Sequence, residues 1–196
     1  MPLSVGTSPG APRHIDVGQK AEHSWRFTLH RTAWKLLVVA VFLGASKPRP
    51  AFTATTLVHK KAPEFVRTGL DHKKLDLKAY RGKLVLLNFW ATWCAPCELE
   101  MPRFVLWQTK YGPRGLQIIG ISMDDDPALV RKAYGKLRLN YPVAMGDAKL
   151  GELYGGILGL PVTYLIDGRG EIRAEYRGET DLSTIEAELR SLLPIR

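Results

Sequence analysis

The stretch Leu84-Val85-Leu86-Leu87-Asn88-Phe89-Trp90-Ala91-Thr92-Trp93-Cys94-Ala95-Pro96-Cys97 carries two signals in succession. Leu84 to Trp90 is almost wholly apolar and of strand length, as expected of a strand buried on both faces. Pro96 then suits the first turn of a helix, where a missing N–H costs nothing. A cysteine at such a strand-to-helix turn meets unpaired backbone N–H groups and the positive end of the helix dipole, and both favour its thiolate. Such surroundings lower a thiol pKa from about 8.5 to somewhere between about 3.5 and 7.5. Cys94 and Cys97, three positions apart, face each other across one helical turn. The first can attack a disulfide and the second can release the product.

Working outward, a helix is expected from Cys94 to Lys110, with Met101, Phe104, Val105 and Gln108 along one side and Pro102 bending it. Leu116 to Ser122 reads as a second buried strand. Pro127 to Leu139 has helical spacing, with Leu129, Val130, Ala133 and Leu137 inward and Arg131, Lys132 and Lys136 outward. Val162 to Ile166 and Ile172 to Arg177 are two more strands, joined by the turn signal Asp167-Gly168-Arg169-Gly170. Leu182 to Leu193 closes the chain with Leu182, Ile185, Leu189 and Leu192 on one helical stripe. Strands alternating with helices make an α/β sheet covered by helices, and the right-handed crossover rule makes the first two strands parallel.

The chain has 196 residues and a net charge of +9, of which residues 1–50 carry +5 and the remaining three quarters only +4. Basicity concentrated ahead of the globular part, with no helix-turn-helix or RNP-type pattern, argues against nucleic-acid binding. Two cysteines this close cannot staple distant segments, which excludes a disulfide scaffold. Only one continuous apolar run exists, which excludes a multi-pass membrane protein. That run, Leu36 to Ala45, follows Arg26, Arg31 and Lys35 in the order of an export signal. It is shorter than the roughly 20 residues of a comfortable span. The expected organisation is a disordered basic leader over 1–32, a signal or membrane anchor over 33–46, a linker over 47–61 and one domain over 62–196.

Trp93-Cys94-Ala95-Pro96-Cys97 after the buried strand resembles the active site of the thioredoxin superfamily. Ala62-Pro63-Glu64-Phe65, Tyr80-Arg81-Gly82-Lys83 and Glu98-Leu99-Glu100-Met101-Pro102 resemble its exported TlpA/ResA-like branch. Gly159-Leu160-Pro161-Val162-Thr163 looks like the superfamily's cis-proline loop. The resemblance implies a thioredoxin fold, a central mixed β-sheet flanked by helices. It implies dithiol–disulfide exchange with a client protein and no bound cofactor, with Cys94 as nucleophile and Cys97 as resolving thiol. It places the domain in the periplasm or on the extracytoplasmic face of the cell membrane, recharged by a membrane thiol donor. Some relatives act as reductants in cytochrome c maturation.

In the family the proline matching Pro161 is cis and sits against the sulfurs, leaving the Leu160 backbone to pair with an extended client segment. A cis X-Pro bond costs only about 0.5–1 kcal/mol. Trp93, Pro96, Leu160 and Pro161 are therefore the expected client-binding residues. Thioredoxin has an acidic residue six positions before the first cysteine, but this chain has Asn88, which cannot take up a proton. The resemblance gives the proton-handling role to Glu100, one helical turn beyond Cys97.

Other readings compete. A zinc site needs about four ligands, and neither His59 nor His72 has ligand-like spacing to the cysteines. Peroxidatic cysteines need Thr three positions earlier, where Ala91 stands. A Cu(I)-handling module would use both sulfurs as soft ligands but has no well-spaced His or Met beside them. Asp124-Asp125-Asp126 before Pro127 reads as a helix cap rather than a cation site.

Overall fold

The computed structural model describes residues 56–193. The leader over 1–32, the apolar segment over 33–46 and the linker up to residue 55 lie outside the described residues. In chain order the strands are β1 (Val66–Thr68), β2 (Lys74–Asp76), β3 (Leu84–Trp90), β4 (Leu116–Ser122), β5 (Val143–Met145), β6 (Val162–Ile166) and β7 (Ile172–Arg177). The helices are α1 (Ala95–Tyr111), α2 (Pro127–Lys136), α3 (Ala148–Leu153) and α4 (Leu182–Leu192).

β1 and β2 form a small antiparallel hairpin, and the other five strands form one sheet in the order β5-β4-β3-β6-β7. β3 lies at its centre, parallel to β4 with Leu84 opposite Leu116 and Trp90 opposite Ser122. On its other side β3 runs antiparallel to β6, with Phe89 opposite Val162. The sheet is therefore mixed and flanked by helices, as expected.

All seven residues of β3 are buried because both faces of the sheet are covered. Leu84, Leu86 and Trp90 join α1, α2 and α4 in one core that includes Met101, Phe104, Trp107, Val130, Ile185 and Leu189. Val85, Leu87 and Phe89 face the opposite core with Leu77, Ile119, Leu150, Tyr154 and Tyr164. Each large side chain fully buried this way stabilises the fold by roughly 1.5–3 kcal/mol. Asn88 is the polar exception within β3, and its amide donates to Thr163 Oγ1 across the strand pair at 3.0 Å.

Two expectations need correction. α2 stops at Lys136, because Arg138 takes a left-handed φ of 51° that ends the helical path. Leu139 then enters the core from the following loop. Leu129 is 51% exposed, since the helix turns Val130 and Ala133 toward the sheet and leaves Leu129 outside that arc. Residues 59–62 run beside β7, with His59 N–H donating to Ile172 C=O and Ala62 N–H to Gly170 C=O. Among the described residues, no helix is long and apolar enough to cross a membrane.

Candidate active site

The chain leaves β3 at Trp90, whose C=O accepts from Met123 N–H at 2.8 Å, and turns at once into α1. Asp124 fixes that turn. Its carboxylate accepts from Thr92 N–H at 2.9 Å, from Thr92 Oγ1 at 2.6 Å and from Ser122 Oγ at 2.7 Å. Asp124 is buried, so these charge-assisted bonds replace its hydration and hold Thr92 rigidly two residues before Cys94. The sequence reading made the acidic triplet a helix cap. Only Asp126 fills that role, accepting from Ala128 N–H at 2.7 Å.

Cys94 is the N-cap of α1, and Cys97 N–H points at its Sγ from 3.3 Å. The two cysteines are joined in a disulfide, with both side chains nearly covered. The first turn of α1 therefore aims a backbone donor and the helix dipole at one sulfur, which is what a thiolate-forming cysteine requires. Pro96 sits within that first turn, half-buried.

The Leu160–Pro161 peptide bond is cis, as the resemblance implied. Pro161 is buried, and Leu160 packs against the core cluster that contains both cysteines. Among the described residues neither the N–H nor the C=O of Leu160 takes part in a backbone hydrogen bond. Trp93 is 71% exposed, and so are Leu99 and Leu158, each at 72%. Trp93 thus leaves its side chain mostly in solvent instead of packing into the domain. Leu99 and Leu158 were not singled out in the sequence, where an exposed leucine reads like any core leucine.

Glu100 is buried at 4% exposure, and its Oε2 has no hydrogen-bond partner among the described residues. Burial pushes its carboxyl up from 4.5 to about 7, and the negative charge of Glu179 adds to the rise. That matches the working range of a group exchanging protons with a thiol at neutral pH. Tyr141, also buried, has its phenol pushed up by burial, by Tyr134 and by the Glu100 carboxyl. Asn88 is occupied with Thr163 and supplies no proton acceptor. A solvated-surface role for Glu100 does not fit its burial.

A cavity of about 320 Å³ lined by Leu70, Tyr134 and Asn140 and one of about 450 Å³ lined by Arg103, Leu106 and Glu186 include neither cysteine. Among the described residues no group of three or more His, Cys, Asp or Glu side chains is arranged to hold a metal ion.

Residues 58–175 match the profile of the AhpC/TSA family. The chain belongs to the AhpC/TSA family. Within this family setting it is similar to the thiol-disulfide oxidoreductase ResA of Bacillus thuringiensis subsp. konkukian. The two are 39% identical over 139 residues, covering 70% of this chain and 79% of that protein. ResA of Geobacillus kaustophilus is 35% identical over 163 residues, covering 81% of this chain and 92% of that protein. Among solved structures, a thiol:disulfide interchange protein of the thioredoxin family from Chlorobium tepidum TLS superposes with a TM-score of 0.64. It is 26% identical and covers 72% of this chain and 100% of that one. The fold is the thioredoxin fold, and the activity of this family member is thiol-disulfide oxidoreduction.

Proposed function

We propose that this protein is an extracytoplasmic reductant of protein disulfides, with Cys94 as nucleophile, Cys97 as resolving thiol and Glu100 as the proton acceptor for Cys97. The observation that carries the reading is the setting of Cys94. Its sulfur caps α1, and Leu160, which enters the cis bond to Pro161, keeps its backbone out of other backbone hydrogen bonds. The Cys94 thiolate attacks one sulfur of a client disulfide, and the other client sulfur leaves as a thiolate and takes a proton. Cys97 passes its proton to Glu100 and attacks Cys94 Sγ, which frees the second client thiol and leaves the Cys94–Cys97 disulfide. Two electrons have then moved from the protein to its client, and a membrane thiol donor restores them.

Trp93, Pro96, Leu160 and Pro161 receive the client segment, the Leu160 backbone pairing with it as an added strand does. The basic-then-apolar order ahead of residue 46 supports delivery across a membrane, with the segment kept as an anchor or removed. Reduction of an apocytochrome segment with Cys-x-x-Cys-His spacing, as in cytochrome c maturation, is the client reaction favoured by the resemblance to the ResA-like branch. Peroxide reduction is not proposed, because Ala91 occupies the position that needs Thr.

The test is a redox titration of the Cys94–Cys97 pair combined with an insulin-reduction assay using a strong dithiol donor. A reductant has a midpoint well below the roughly −120 mV of strongly oxidising pairs, and loses insulin turnover in Cys94→Ser. A midpoint in that oxidising range, or unchanged turnover in Cys94→Ser, overturns the proposal. A reporter fused after residue 62 should be active only outside the cytoplasm.

A further inference from the structure

We infer that Arg177 is a positioning residue for client docking, acting through the loop that carries Leu158 and Leu160; the inference rests on the docking role proposed above for that loop. Arg177 ends β7 opposite Val162, the residue that follows Pro161. From there its guanidinium reaches back to the start of the loop. Nη1 donates to Gly156 C=O at 2.9 Å, and Nη2 approaches Tyr164 Oη at 3.3 Å and Tyr154 C=O at 3.5 Å. Tyr164 Oη in turn donates to Tyr154 C=O at 2.6 Å, so the same carbonyl is held twice.

The far end of the loop is tied from the neighbouring position on the same strand end, where Gly178 N–H donates to Pro161 C=O at 2.8 Å. Between the two ties run Ile157, Leu158, Gly159 and Leu160. The segment enters through Gly155 and Gly156, both with left-handed φ near 80°, a backbone with little conformational preference of its own. A short glycine-flanked loop of this kind takes its shape from its end-points. Gly156 N–H donates to Gly151 C=O at 3.0 Å, and Arg177 adds the tie on the Gly156 carbonyl. Together with the packing of Ile157 and Leu160 on the core, that tie orients the exposed Leu158 side chain and the Leu160 backbone.

The guanidinium is itself aimed. Arg177 Nε donates to Glu175 Oε1 at 2.5 Å, and the Glu175 side chain is only 7% exposed. Glu175 Oε2 accepts from Leu57 N–H and Thr56 Oγ1, each at 3.2 Å. The arrangement uses a planar fork with several donors in fixed directions, which a lysine ammonium cannot reproduce. None of these atoms contacts a sulfur, so the role is positional: it changes how a chain docks and leaves the exchange chemistry of Cys94 intact.

The test compares two disulfides with the full-length reduced protein: insulin, which must dock a chain, and hydroxyethyl disulfide, which has none. In Arg177→Met, KM for insulin should rise roughly tenfold, the scale of one lost hydrogen bond to a charged group. The rate with hydroxyethyl disulfide and the midpoint potential should stay within twofold and 10 mV or so of the parent, because a tenfold change in equilibrium corresponds to about 30 mV. Arg177→Lys should give the same split to a smaller extent. Should the Met variant fail to fold, Arg177→Lys carries the test by itself. An unchanged insulin KM overturns the inference, as does an equal loss with both disulfides. If the parent itself does not reduce insulin through Cys94, the proposed function has failed instead, and the two failures are distinguishable.

Discussion

Replacing Glu100 with Gln keeps the shape of the side chain and removes its titration, so the protonation cost stored at that position becomes measurable. The folded state holds the carboxyl at about 7 against an ordinary 4.5, through burial first and the Glu179 charge second. A raised carboxyl pKa means the folded protein binds more protons than the unfolded chain between those values. The stabilisation from the neutral form is then fully present below about pH 4.5 and is lost as pH rises through about 7. At about 1.36 kcal/mol per unit, that displacement amounts to about 3 kcal/mol at alkaline pH. Urea unfolding of the oxidised parent and of Glu100→Gln at pH 5, 6, 7 and 8.5 measures it, because every other titrating group is common to both proteins. The stability difference should move in favour of the Gln variant by about 2.5 kcal/mol from pH 5 to pH 8.5, since part of the effect is already spent at pH 5. Parallel profiles would refute the reasoning, since they require a carboxyl that titrates alike in both states. The same variant should resolve mixed disulfides about 10²–10⁴-fold more slowly near neutral pH while forming them at close to the parental rate.

Asp124→Ala removes the acceptor for Thr92 N–H, Thr92 Oγ1 and Ser122 Oγ, and should lower stability by about 2–4 kcal/mol in denaturant titrations. It should also slow exchange, because the turn ahead of Cys94 is no longer fixed. Trp93→Ser should raise KM for insulin several-fold and leave the melting temperature within a degree or two, because the indole is exposed. Gly120→Ala would bring a methyl to 3.1 Å from both Trp90 Nε1 and Val143 Cγ2, where the neighbours are core side chains. It should destabilise by about 1–3 kcal/mol by thermal unfolding, the usual cost of overpacking.

How much of this was readable beforehand follows from where each signal resides. β3, β4 and β6 coincide with the runs read from sequence because a doubly covered strand must be apolar along its length, and the edge strand β7 does so through its alternation after the Asp167–Gly170 turn. The hairpin of β1 and β2, the edge strand β5 and the six-residue α3 were not read, since three to six residues carry too little periodicity to stand out. The cysteine pair was visible as a motif at fixed spacing, and Pro161 and Glu100 were singled out through the family resemblance. Burial of Glu100, by contrast, depends on how α1 packs into a core that also holds Tyr141, which no local pattern announces. Asp124 was misread for a related reason. Three consecutive aspartates before Pro127 look equivalent, and only the parallel register of β3 and β4 brings the first of them to Thr92. Arg177 lies on an ordinary strand end, and its meaning comes from Gly156, twenty-one positions earlier.

The central claim is that Cys94 attacks client disulfides and Cys97 completes the exchange. Incubating reduced Cys97→Ser protein with a disulfide-bonded peptide, then measuring the intact mass and mapping the adduct, tests it most directly. The expected result is one peptide joined to Cys94 through a mixed disulfide that persists until a thiol reductant is added. The absence of an adduct in Cys97→Ser, together with a stable adduct on Cys97 in Cys94→Ser, would contradict it.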